Sequence, residues 1–203
     1  MSRITRTTLA AALMLASAPA VAADWWVRGG VTNVNPDSDN GRIANNALAV
    51  EIDSNTQLGL SFGRYLDDNW AVELLAATPF DHTVSLNGAE AVDFKHLPPT
   101  VSVQYYFGAR DATIRPFVGA GVNYTWVYDE EERGPVAAAD VDLENSWGLA
   151  AQAGLLWNLS DAWHATADVR WIDIDSEVRL NGADIGTATV DPLVFSVMVG
   201  TTF

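Results

Sequence analysis

The sequence predicts an all-β protein, an eight-stranded antiparallel transmembrane β-barrel with short periplasmic turns and long extracellular loops. Apolar and polar residues alternate with a period of two in eight separate segments, a pattern typical of strands with two unlike faces. The connections between these segments alternate between long and short, and aromatic residues gather at both ends of the strands. Both features are typical of barrels in bacterial outer membranes.

The stretch 191–203 carries the clearest of these patterns. Large apolar residues occupy every second position from Leu193 to Val199, and the same register ends on Phe203. An aromatic carboxy-terminus gives little to a soluble protein, because chain ends usually fray. In a membrane barrel the closing strand must pair along both edges and anchor at an interface. We therefore interpret this strand as the seam of the barrel.

Composition narrows the class of protein. The chain of 203 residues is 49% hydrophobic, contains no cysteine and carries a formal net charge of −15, with Lys95 as its single lysine. The length fits one domain. Without cysteine there is neither a disulfide framework nor a thiolate metal site, and the acidic balance argues against nucleic acid as a partner.

The first 23 residues predict a secretory signal peptide. Arg3 and Arg6 give a positive start, a short apolar run follows at 8–18, and small residues suited to signal peptidase occupy 18–23. Later segments stay below the roughly 18 apolar residues that a spanning helix needs. We expect cleavage after Ala23, an exported barrel domain of residues 24–203, and a membrane crossing made by strands.

The first four strands are predicted where alternation runs between turn-forming segments. They cover residues 25–34, 56–65, 70–79 and 100–107. The first has the weakest pattern, because Gly29 and Gly30 interrupt it. In the other three, leucine, valine and aromatic residues alternate with smaller or polar ones. The polar segment 66–69 between the second and third strands has the composition of a tight turn.

The last four strands continue the pattern. They cover residues 115–128, 146–157, 163–173 and 193–203. Short turn-like segments at 108–113 and 159–162 join alternate pairs of strands. The other connections, which are long and polar, are predicted to be loops, at 35–54, 81–99, 129–145 and 175–189. Because the first and last connections are both long, both chain ends are placed on the periplasmic side.

Three observations predict that the apolar face meets lipid, although a soluble eight-stranded barrel would turn it inward. The other face carries polar groups at mid-strand, namely Gln57, Glu73, Gln104, Asn123, Gln152, Asp168 and Arg170. A closed lumen can pair such groups, whereas a soluble core would leave them poorly satisfied. That face is also rich in glycine, as a narrow interior requires. The aromatic residues form two belts around a Val/Leu/Ala band, matching the two interfaces of a bilayer.

The face assignment has a direct consequence for stability. An arginine at Val122 or Leu149 is expected to destabilise the barrel by roughly 2–4 kcal/mol if the position is near the midplane. A lumen substitution such as Gln104→Glu is expected to cost less. Folding titrations in lipid vesicles measure the order of the two effects.

Several sequence blocks resemble the outer membrane protein W (OmpW) family of small outer-membrane barrels. They lie in the expected order along the mature chain, at residues 55–60, 68–80, 96–100, 115–125, 146–148 and 191–195. The resemblance implies an eight-stranded barrel with a narrow, partly hydrophobic channel that passes small hydrophobic molecules. It also implies, for some members, a role as receptor for phages or bacteriocins. The sequence departs from the family at Arg170, where members can carry a bulky aromatic residue in the lumen.

Five lumen residues are the candidate site. Leu75, Glu73 and Arg170 are candidates for the constriction of a path for hydrophobic solutes, and Gln104 and Asp168 are candidates for its polar lining. The alternative is that the charged residues form an ion-paired structural plug, because eight strands leave an interior just filled by side chains.

Other titratable residues are not predicted to form sites, so the sequence predicts neither an enzyme nor a cofactor or metal centre. His82 and His96 lack the short spacing of metal ligands and are interpreted as residues of a solvated loop. The acidic run 129–132 lacks the alternating ligands of a calcium loop and is interpreted as an exposed external loop. His164 and Asp168 are about 13 Å apart along a strand at ~3.3 Å per residue, too far for a catalytic pair.

The sequence therefore predicts a bacterial outer-membrane protein with a narrow channel for small, hydrophobic molecules. The alternative is a structural or receptor barrel with a plugged lumen, whose loops carry the function. The expected partners are outer-membrane lipid and lipopolysaccharide, a small hydrophobic solute, and the barrel-assembly machinery, which would engage the closing strand that ends at Phe203.

Overall fold

The computed structural model describes residues 24–38 and 40–203, so the predicted signal peptide lies outside the described residues. The strands are β1 (Trp25–Asn35), β2 (Arg42–Ile43), β3 (Leu48–Ile52), β4 (Asn55–Tyr65), β5 (Trp70–Ala77), β6 (Phe80–Leu86), β7 (Ala89–Leu97), β8 (Thr100–Tyr106), β9 (Ile114–Glu132), β10 (Val141–Leu143), β11 (Ser146–Asn158), β12 (Trp163–Ile172), β13 (Asp175–Leu180), β14 (Ala183–Thr189) and β15 (Leu193–Thr202). A 3₁₀ helix, Gly134–Val136, lies between β9 and β10. Within these residues, no helix combines the length and the apolar character needed to cross a membrane.

Eight strands close into an antiparallel barrel, as the sequence predicts. Their order around the wall is β1, β4, β5, β8, β9, β11, β12 and β15, and β15 pairs back onto β1. At this seam the register runs from Trp26 opposite Thr202 to Asn35 opposite Leu193. Each wall strand therefore pairs on both sides, which satisfies its backbone hydrogen bonds in a lipid environment.

The two faces of the wall differ in chemistry as the alternation predicts. Large apolar side chains are exposed around the outside, for example Leu58, Val101 and Val197. The inside is narrow: a Cβ atom on Gly63 would lie 2.1 Å from Cζ2 of Trp26. Aromatic contacts mark both rims of the outer surface, such as Trp25 with Phe62 at one end and Trp126 with Tyr128 at the other.

The four long connections lie where they are predicted, but they are largely strands rather than irregular polar loops. Strand β9 extends through the acidic run to Glu132, and β6 and β7 form a hairpin with Asn87 and Gly88 at its turn. Both turn residues have positive φ, 50° and 79°, as a type I′ turn requires. Sequence reasoning missed these hairpins because polar residues dominate their composition while apolar residues occupy their inner face.

These connections together form a folded cap, here called the crown. It consists of β2, β3, β6, β7, β10, β13, β14 and the end of β9 beyond Trp126. Strands β2, β3, β6 and β7 continue the wall from β9, whereas β10, β13 and β14 form a separate sheet. The two halves join where Ala44 donates its backbone N–H to Ile185 O at 2.7 Å. An apolar cluster that includes Val50, Phe94 and Val178 lies between them.

Candidate functional site

Glu73 is the centre of a buried polar network at mid-barrel. Its carboxylate accepts hydrogen bonds from Ser61 Oγ at 2.6 Å and Gln104 Nε2 at 2.7 Å. Arg170 Nη2 donates to the same carboxylate at 2.8 Å. Arg28 Nη1 lies 3.6 Å from Glu73 Oε1. These contacts compensate a charge that burial would otherwise make very costly.

A second set of contacts holds the two arginines in place. Arg28 donates from Nε to His164 Nε2 at 2.8 Å and from Nη2 to Tyr106 Oη at 3.3 Å. Its guanidinium lies 4.4 Å from the ring centroid of Trp26, a favourable cation–π geometry. Arg170 Nη2 also donates to Gln152 Oε1. We call Arg28, Ser61, Glu73, Gln104, Gln152 and Arg170 the lumen plug.

The lumen plug closes the barrel interior. Each of its side chains is buried, with at most 6% of the residue exposed. A layer of rings lies between the plug and the short-turn end of the barrel, and it includes Trp26, Tyr65, Tyr106 and Phe117. Straight passage along the barrel axis therefore requires both the ion pairs and the ring layer to move.

The structure brings together three of the five predicted lumen residues: Glu73, Gln104 and Arg170. Asp168 lies on the same strand as Arg170, and its Oδ2 has no hydrogen-bond partner among the described residues. Leu75 is two positions from Glu73 toward the crown and is 6% exposed. The two hypotheses for these residues, the constriction of a solute path and an ion-paired plug, both place them on the lumen face.

Sequence reasoning missed Arg28, Tyr106 and His164 as members of the network. Arg28 belongs to the strand whose pattern is interrupted by Gly29 and Gly30. The sequence pattern that indicated it is that Trp26, Arg28 and alternate residues after them in β1 share the inner face. Strand β1 pairs with β4, beginning with Trp25 opposite Arg64. Recognising it required the register of the closing seam, which the sequence pattern alone does not give.

The crown encloses an apolar cavity, here called the crown chamber. Its volume is about 80 Å³, several times the roughly 10–15 Å³ that a single water needs by the same measure. Most of its lining is aliphatic or aromatic. It comes from strands in both halves of the crown and from the residue that follows β14: Ile43, Val50, Phe94, Val127, Leu143, Val178 and Val190. The chamber therefore suits a small apolar molecule.

His82 and His96 lie inside the crown, so their interpretation as residues of a solvated loop is wrong. They are 2% and 3% exposed, and their rings stack with centroids 4.9 Å apart and planes 6° from parallel. Burial in the crown lowers the pKa of His82 and lowers the pKa of His96 to about 3. The sequence pattern that indicated their burial is the alternation in which His82 and His96 share the inner face of the hairpin with Phe80, Val84 and Phe94. Among the described residues, no group of three or more His, Asp or Glu side chains could hold a metal ion.

The barrel wall has a local gap between β5 and β8. Pairing of these strands ends at Leu75 opposite Thr100, and Pro98 and Pro99 follow on the crown side with no N–H to donate. A cleft lies at this point, lined by Ala76, Ala77, Leu97, Pro98, Pro99, Tyr124 and Trp126. Small side chains and missing donors therefore accompany an interruption of the pairing, which resumes in the crown with Phe80 opposite His96.

Comparisons with known proteins agree with this architecture. The OmpW family model matches residues 22–203. Outer membrane protein W of Vibrio cholerae is 40% identical, with 96% of this chain and 97% of that protein covered. The crystal structure of OprG from Pseudomonas aeruginosa matches with a TM-score of 0.79 and 33% identity, covering 89% of this chain and 96% of that one. The solution structure of Escherichia coli outer membrane protein W matches with a TM-score of 0.64 and 35% identity, covering 89% and 98%.

Proposed function

The chain belongs to the OmpW family of bacterial outer membrane proteins, and on that premise we propose that it admits small apolar molecules through its crown. The barrel lies in the outer membrane, and its exposed apolar band contacts lipid. The observation that carries the proposal is the crown chamber, an apolar cavity at the outer end of a lumen whose inner half is plugged.

The proposed route turns sideways below the chamber. An axial route would have to separate Glu73 from Arg28 and Arg170 inside a medium of low dielectric constant, which is costly. The gap between β5 and β8 offers an apolar exit toward the lipid core instead. Leu75 belongs to the last residue pair between these strands, so it lies where the proposed route changes direction. Apolar molecules gain free energy on reaching the acyl chains, so no further energy source is needed.

Filling the wall gap tests this route. Ala77→Leu adds bulk to the cleft, so uptake of an apolar fluorescent probe by cells making the variant is expected to fall to the level of cells without the protein. Ala153→Leu is the matched control, because Ala153 is an exposed alanine of β11, away from the cleft. The control is expected to take up the probe like the wild type.

Two further variants separate the sideways route from an axial one. If Ala77→Leu leaves uptake unchanged while Leu75→Ala and Arg170→Ala alter uptake and single-channel conductance, the path runs through the lumen plug. If all three variants leave both quantities unchanged, the apolar route lies elsewhere.

The closed lumen also supports the second candidate, a receptor barrel whose crown carries the function. The crown is a folded surface outside the membrane, and the lumen plug and ring layer beneath it close the interior. Planar-bilayer recordings without openings, together with wild-type cells that take up no more probe than cells lacking the protein, would favour this reading over transport.

A further inference from the structure

We propose that apolar molecules enter the crown chamber through the seam between β9 and β10, and that carboxylates along this seam exclude anionic molecules. The seam, here called the slit, is formed by residues 127–132 of β9 and by residues 141–145, which include β10. The inference rests on the proposed function, because it names the entrance to that route and the class of molecule that the entrance admits.

The crown strands form a ring with two seams. Strands β9, β7, β6, β3 and β2 pair in that order, and β10, β13 and β14 pair in a second sheet. Backbone hydrogen bonds close the seam between β2 and β14, from Ala44 N to Ile185 O at 2.7 Å and from Thr189 N to Asn40 O at 3.2 Å. Among the residues that the structure describes, no backbone–backbone hydrogen bond joins β9 to β10. The ring is therefore open at the slit.

Side chains hold the slit at its two ends. Asn145 Oδ1 accepts a hydrogen bond from the backbone N–H of Val127 at 2.9 Å near the barrel. Glu132 Oε1 accepts one from the backbone N–H of Val141 at 3.0 Å at the outer end. An open cleft lies between them, lined by Val127, Tyr128, Asp129, Glu130, Asp142, Leu143, Glu144 and Asn145. A seam held by two side-chain hydrogen bonds widens at lower cost than one held by a strand ladder.

The slit leads directly to the crown chamber. Val127 and Leu143, one from each side of the slit, line both the cleft and the chamber. A second cleft, on the polar outer surface of β6 and β7, shares Phe94 with the chamber. Strands β6, β7 and β9 are paired with one another there, so a molecule in that cleft meets a hydrogen-bonded sheet. The slit is therefore the better entrance.

The charges of the slit favour neutral molecules over anions. Its lining contains four carboxylates and no lysine or arginine. Asp129 pairs with Lys95, and Glu144 pairs with Arg179. Glu130 and Asp142 have no ion-pair partner among the described residues, and they come from opposite sides of the slit. They repel an anion in the cleft over about 8 Å at physiological ionic strength, whereas a neutral molecule is not repelled.

Blocking the slit tests the entrance. The chain contains no cysteine, so a single introduced cysteine is the only thiol of the protein. Asp142→Cys is labelled on intact cells with 4-acetamido-4′-maleimidylstilbene-2,2′-disulfonate, a bulky reagent that does not cross membranes. Uptake of the neutral dye N-phenyl-1-naphthylamine is then expected to fall to the level of cells without the protein.

Asp184→Cys is the matched control for labelling, because Asp184 is exposed on β14, which β13 separates from β10. At the same extent of labelling, this variant is expected to take up the dye like the unlabelled protein. Equal uptake by the two labelled variants would overturn the proposed entrance.

A matched pair of dyes tests the exclusion of anions. 8-Anilinonaphthalene-1-sulfonate has the ring skeleton of the neutral dye and carries one sulfonate. The ratio of anionic to neutral dye uptake is expected to rise about threefold from wild type to the double variant Glu130→Gln/Asp142→Asn, because two uncompensated charges are removed. Glu51→Gln/Asp184→Asn is the control: it removes the same charge from exposed positions elsewhere on the crown, so its ratio should equal that of the wild type. Equal ratios in the two double variants would overturn the exclusion of anions.

Failure of this inference can be told from failure of the proposed function. Wild-type cells that take up no more neutral dye than cells lacking the protein would overturn both. Loss of uptake in Ala77→Leu, with undiminished uptake in labelled Asp142→Cys, would overturn the entrance alone and leave the sideways exit standing.

Discussion

Glu73→Gln is expected to destabilise the folded barrel by about 3–5 kcal/mol, the usual cost of removing one partner from a buried ion pair. The substitution keeps the shape of the side chain but removes its charge. Arg28 and Arg170, which are 2% and 1% exposed, then share a buried site without the carboxylate that both approach. Their mutual repulsion adds to the cost of burying each charge.

Urea-induced unfolding in lipid vesicles measures this loss. Asp129→Asn is the control, because Asp129 pairs with Lys95 at 3.0 Å on the exposed part of the crown, where solvent and salt screen the interaction. It should change the free energy of unfolding little. Equal losses in the two variants would contradict the view that the lumen plug stabilises the barrel through paired charges.

The barrel was predictable because each wall strand meets lipid on one face and a polar lumen on the other. This contrast produces strict alternation, as in β15, where Phe195 and Val197 point outward and Ser196 points inward. The crown strands lack that contrast, since their outer face meets water and their inner face mixes apolar residues with His82 and His96. Their alternation is therefore hidden by a polar average composition.

The lumen plug was predictable only in part, because alternation gives the face of a residue and not its height in the barrel. Arg170 lies directly opposite Gln152, and Gln104 opposite Ala71, but these registers follow from three-dimensional pairing. Residues 28, 73, 104 and 170 come from β1, β5, β8 and β12, far apart in the chain. The sequence pattern placed the residues on the inner face without indicating which of them would meet.

The structure also refines which position tests the lipid-facing surface. Leu149 is two residues from Trp147 of the outer aromatic belt and close to the crown end of β11, so it lies nearer the interface than the midplane. Gln104→Glu is not a mild comparison either, because Gln104 Nε2 donates to Glu73 at 2.7 Å and a second carboxylate would lose that donor. Val197 is better placed, since it lies opposite Ala167, midway between Trp163 and Trp171.

Val197→Arg is therefore expected to destabilise the barrel by about 2–4 kcal/mol, the cost of an arginine on the lipid face near the bilayer midplane. Leu159→Arg is the matched control: Leu159 is 62% exposed and Val197 is 63% exposed, but Leu159 lies in a short turn at the membrane interface. Its cost is expected to be about 0–1 kcal/mol. Because the two positions are equally exposed, solvent exposure alone predicts equal effects in vesicle folding titrations. Equal effects would therefore show that the apolar band does not face lipid.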